Sequence, residues 1–91
     1  MRITKVKPSS KCKDGSLVKE YLLNSPIDHQ DIENLHGMGD VILKNLGGNV
    51  LFTFSSDILI LKGMIGDTVV YATHRKEDTE VVDTMINELF G

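Results

Sequence analysis

A chain of 91 residues that is 41% hydrophobic and 25% charged has the composition of one ordinary globular domain, and it lacks the run of ~20 apolar residues that a membrane-spanning helix needs. One cysteine, Cys12, excludes an intrachain disulfide and the paired-cysteine zinc motifs. Met1 leads straight into an alternating segment with no apolar signal core, so a single cytoplasmic domain over 1–91 is expected.

The net charge of −3 is unevenly spread. Residues 1–20 hold six basic side chains against Asp14 and Glu20, whereas residues 21–91 hold four basic and eleven acidic ones. A basic N-terminal segment followed by an acidic body is expected to pack as a strand against its own acidic sheet. The alternative, an arm for a polyanion, lacks the interleaved aromatic residues that stack on bases.

In chain order, MRITKVK (1–7) reads as a first strand and PSSKCKDGS (8–16) as a loop. SLVKEYLLN (16–24) fits both an alternating strand and a helix, and the Asp14-Gly15 turn signal before it favours a strand antiparallel to residues 2–7. Ser25 as cap and Pro26 in the first turn then predict a helix over 26–36, ended by Gly37-Met38-Gly39. Asp40 is positioned to cap a second short helix, VILKNL, stopped by Gly47-Gly48.

Three strands follow, NVLFTFSS (49–56), DILILK (57–62) and TVVYATH (68–74), with GMIGD (63–67) as the turn between the last two. In TEVVDTMINELF (79–90), Val82, Met85, Ile86, Leu89 and Phe90 recur at helical spacing and form one apolar stripe, expected to bury against Phe52, Phe54 and one face of 58–61. The resulting fold class is α+β: an antiparallel sheet of about five strands, in the order ββαβββα, with the helices on one face.

Catalytic and nucleotide-binding signatures such as G-x-S-x-G, the phosphate-binding G-x-x-x-x-G-K-[ST], G-x-G-x-x-G and H-E-x-x-H are all absent. His29, Glu33 and His36 share one face of the predicted first helix but are spaced too widely for ordinary metal ligation, so they read as a solvated polar face. Cys12 lies between Lys11 and Lys13, cations that favour a thiolate, but no histidine can be placed beside it.

LHGMGDVILKNLGG (35–48) resembles the helix-hairpin-helix element of DNA-binding proteins, with Leu35, Gly37, Met38 and Gly39 on its hairpin pattern. That resemblance implies phosphate held on the hairpin amides. Here Asp40 sets a negative charge where the phosphate would approach, Leu43 replaces the usual alanine, and the second helix is a turn short.

The acidic residues Glu77, Asp78 and Glu80 at the start of the last helix, with Asp57 and Asp67 in turns of the sheet, are the candidate ligands for a hard cation such as Ca²⁺. Carboxylates at a helix start are also explained by capping and the helix dipole alone. In acidity, single cysteine and the closing run LKGMIGDTVVYATHRKEDTEVVDTMINELFG, the chain is similar to small uncharacterised α+β proteins of methanogenic archaea. The similarity implies an α+β fold and calcium at acidic loops; it brings no catalytic residue.

The function expected from these observations is a non-enzymatic protein-interaction or binding module, using an exposed sheet face or edge strand, with a weak calcium site. The alternatives are nucleic-acid binding through residues 35–48 and a small-molecule binder or enzyme with a site that no motif reveals.

Overall fold

The computed structural model describes residues 2–11 and 16–90, and Cys12 with its flanking Lys13 lies outside them. The described residues form six strands, β1 (Ile3–Lys11), β2 (Ser16–Leu23), β3 (Asp40–Leu46), β4 (Asn49–Ser55), β5 (Leu59–Met64) and β6 (Val69–Arg75). Two helices, α1 (His29–His36) and α2 (Thr79–Phe90), complete the chain, the second preceded by a single 3₁₀ turn over Lys76–Asp78.

All strand pairs are antiparallel and run across one sheet in the order β1-β2-β6-β5-β4-β3. Of the segment 16–24 expected as a strand, Ser16–Leu23 is one, and this β2 pairs with β1 from Ile3↔Leu23 to Lys11↔Leu17. The class is α+β as expected; the strand count is one higher.

The extra strand comes from VILKNL, which is β3 and not the expected second helix. Six apolar-rich residues cannot distinguish the two periods, and β-branched Val41 and Ile42 favour a pleated strand. The deciding feature is the turn. Gly47 and Gly48 have φ of 58° and 90°, the pair of positive values that a two-residue I′ hairpin requires. This joins Leu46 to Asn49 and continues the β3–β4 ladder to Asp40↔Ser55. The segment 35–48 is therefore the end of one helix followed by a strand and a turn.

Helix α1 starts later than expected, at Asp28 rather than Ser25. Asp28 and Asp31 form a capping box: the Asp28 carboxylate accepts from the Asp31 amide at 3.0 Å, and Asp31 accepts from the Asp28 amide at 3.0 Å. Reciprocal satisfaction of two free amides outcompetes a lone serine hydroxyl. β5 likewise extends through Gly63 and Met64, residues expected in a turn. A Cβ on Gly63 would sit 2.7 Å from the Phe52 ring, so the missing side chain is what lets that ring lie across β5.

One face of the sheet is the core. Tyr21, Phe52, Phe54, Leu59, Leu61, Val70 and Ala72 pack there against Ile32 and Leu35 of α1 and Val82, Ile86, Leu89 and Phe90 of α2. Met85 is half-buried at the margin of this stripe. Alternation along each strand sends the intervening side chains to the opposite face, which no helix covers among the described residues.

Candidate interaction surface

The sheet has two edges, and residue chemistry separates them. An edge strand presents unpaired main-chain donors and acceptors, which lysines, prolines and bulges ordinarily shield. β1 has all three: Lys5 and Lys7, Pro8, and register shifts at Ile3/Lys5 and Pro8/Ser10. β3 has an unbroken seven-residue register, no proline and a single lysine, Lys44.

Residues 42–49 are all exposed, with Ile42 at 67% and Leu43 and Leu46 each at 49%. Ile42 belongs to the uncovered sheet face, where Ile60 (40%) and Tyr71 (43%) are also exposed. Leu43 lies opposite Phe52 on the helix-covered face, at a point the helices do not reach. Apolar side chains are thus exposed on both faces of the same open edge. Beside it on the uncovered face is a depression of about 390 Å³ lined by Leu51, Thr53, Lys62, Met64, Asp67 and Tyr71.

The basic N-terminal segment is tied to the acidic body. Arg2 donates to both Asp31 carboxylate oxygens at 2.6 and 2.7 Å, to the Ser25 hydroxyl and to the Pro26 carbonyl, and its guanidinium lies 5.8 Å from the Phe90 ring centre. Burial alone would raise the Asp31 carboxyl, but the Arg2 bonds and the Asp28 amide outweigh it and hold Asp31 below the usual carboxylate range. Asp31 in turn raises the Arg2 guanidinium. Lys7 lies opposite Glu20 across the β1–β2 pair, and the Lys19 ammonium is 3.7 Å from Asp83. Asp83 also accepts from the Tyr21 hydroxyl at 2.8 Å; burial first, and then this bond, raises the phenol. Arg2 and Lys19 are thus the basic residues of the N-terminal segment that pair with carboxylates among the described residues.

The structure brings the proposed cation ligands together only in part. Asp57 and Asp78 line one depression of about 260 Å³ together with His74 and Arg75. Asp67 is at the other end of β5, where its carboxylate accepts from the Thr68 amide at 2.7 Å, and Glu77 and Glu80 point to solvent. Among the described residues no group of three or more His, Cys, Asp and Glu side chains is placed to hold a metal ion. His29, Glu33 and His36 are exposed, as a solvated helix face requires.

Sequence reasoning missed the Arg2–Asp31 tie and the buried His74. The first was half visible, since an aspartate three residues after Asp28 is a capping signature, but its partner is 29 positions away. His74 is 3% exposed; its Nδ1 is 2.8 Å from the Arg75 carbonyl, and its buried Nε2 has no partner among the described residues. Alternation along β6 places it inward, but a histidine gives no apolar signal to read.

No protein family, curated protein or solved structure matches this chain. Among the described residues no helix is long and apolar enough to cross a membrane.

Proposed function

We propose that this protein is a protein-interaction module that receives an extended strand of its partner along β3. The observation behind this reading is the contrast between the edges: β1 is bulged, basic and proline-bearing, whereas β3 is regular and displays Ile42, Leu43 and Leu46. Main-chain hydrogen bonds would supply affinity, and alternate side-chain contacts on the two faces of the edge would supply selectivity. The uncovered sheet face beside it, with Ile60 and Tyr71, extends the apolar contact beyond the strand. The calcium reading gains no support from the placement of the carboxylates, so the proposal does not include it.

The test is a photo-crosslinking amino acid at Ile42, with the same probe at Val6 on the β1 edge as control, in extract of the native organism. Adducts expected at Ile42 and absent at Val6 should disappear when Leu43→Pro removes an edge donor. Adducts at both positions, or at neither, would sink the reading.

A further inference from the structure

We infer that the strand which pairs with β3 is β3 of a second copy of this chain, antiparallel about a two-fold axis through Ile42. The inference rests on the strand-edge reading above and goes beyond it by naming the partner and the register.

A two-residue I′ turn closes on a hydrogen-bonded pair, here Leu46/Asn49, and antiparallel pairs alternate along the ladder. The main-chain groups of Leu46, Lys44, Ile42 and Asp40 therefore turn inward to β4, while those of Asn45, Leu43 and Val41 turn outward to the open edge. A second strand can bond them only if its own outward residues lie opposite. For two identical strands this restricts the two-fold axis to a residue position, and within the strand the central choices are Val41, Ile42, Leu43 and Lys44.

Charge separates these four. An axis at Lys44 sets two ammonium groups directly opposite each other. An axis at Leu43 sets Lys44 opposite Ile42 and Asp40 opposite Leu46, and an axis at Val41 sets Asp40 opposite Ile42; both leave each charge facing a hydrocarbon. The axis at Ile42 sets Asp40 opposite Lys44 twice, once on each side of an Ile42–Ile42 pair. Opposite charges stabilise such cross-strand pairs, and like charges destabilise them. All three pairs lie on the uncovered face.

On the helix-covered face the same register brings Leu43, 49% exposed, opposite Val41 of the other copy, which is half-covered. The run D-V-I-L-K is thus self-complementary in main chain, in charge and in apolar contact. Closed two-fold pairing also removes the open edge from both copies, which a one-sided contact would leave free to propagate. A contact of five paired strand residues per copy, Asp40 to Lys44, is smaller than a standard interface, so the dimer is weak and exchanging.

Sedimentation velocity over a concentration series to millimolar chain should show reversible dimerisation. Asp40→Lys alone and Lys44→Asp alone should each weaken it at least about tenfold, because two attractive pairs become two repulsive ones. An equimolar mixture of the two variants should dimerise again, since every charge then finds its opposite. Isotope-filtered contacts between Ile42 methyl groups of labelled and unlabelled wild-type copies check the register without mutation. A wild-type chain that stays monomeric throughout, a dimer indifferent to Asp40→Lys, or a mixture that fails to dimerise would each overturn the inference. Crosslinked adducts at Ile42 of greater mass than two chains would then keep the interaction reading with another partner, whereas absence of any adduct would remove both.

Discussion

The two edges of this sheet differ in what their residues do for the fold. At the β1 edge, Arg2 reaches over the end of the sheet to Asp31 at the start of α1 and lies against Phe90 at the end of α2, joining three elements through one side chain. At the β3 edge, the outward side chains from Ile42 onward touch little. Strand edges are ordinarily shielded from pairing, and here the β1 edge carries such shielding while the β3 edge does not. The lesson concerns where stability and function are separable: changes at β1 should alter folding, and changes at β3 should alter association.

The largest effect should come from the layer between the edges, which calibrates the comparison. Ile86 is fully buried in α2, and Ile86→Ala should cost about 2–5 kcal/mol through lost transfer energy and an unfilled cavity. Chemical denaturation measures this, and a cost below about 0.5 kcal/mol, typical of surface changes, would mean that α2 does not pack on the sheet as described.

Next comes the β1 edge. Asp31→Asn should cost about 2 kcal/mol at neutral pH, the scale of hydrogen bonds to charged groups in a part-buried ion pair. The pH dependence follows from the sign of the shift. Asp31 is held below its unfolded value, so its contribution is complete above the ordinary carboxylate range and disappears as pH falls through the folded value. The stability gap between wild type and Asp31→Asn should therefore close on acidification; a gap constant down to the acid transition would show that Arg2 contributes through packing rather than charge.

A smaller effect on folding is expected at the β3 edge. Ile42→Ser should change stability in dilute solution by no more than about 0.5 kcal/mol while abolishing the concentration-dependent association of the chain. Strong destabilisation in dilute solution would erase the distinction between the edges. The smallest effect is expected from calcium. With no three ligands gathered among the described residues, millimolar Ca²⁺ and NaCl at matched ionic strength should shift the melting temperature equally, by screening alone. A calcium-specific rise lost in Asp78→Asn would restore the cation site.

Patterns within one element were legible in the sequence: the apolar stripe of α2, the alternation of β4, β5 and β6, and the Asp14-Gly15 signal that set residues 16–24 as a strand. These depend on neighbours a few positions apart, and the residues themselves state them. What the linear order left open was decided by partners distant in the chain. VILKNL could be helix or strand until the positive φ angles of Gly47 and Gly48 laid it along β4. Asp28 displaced Ser25 as the cap of α1 in company with Asp31, whose other partner is Arg2. The acidic residues share a chemistry in the sequence, but only the meander decides which of them meet: it brings Asp57 into one depression with Asp78 and carries Asp67 to the other end of β5. Local propensity carries information about the period of a segment. The edge to which β3 belongs, and the exposure of its apolar side chains, exist only once six strands have been ordered by long-range pairing.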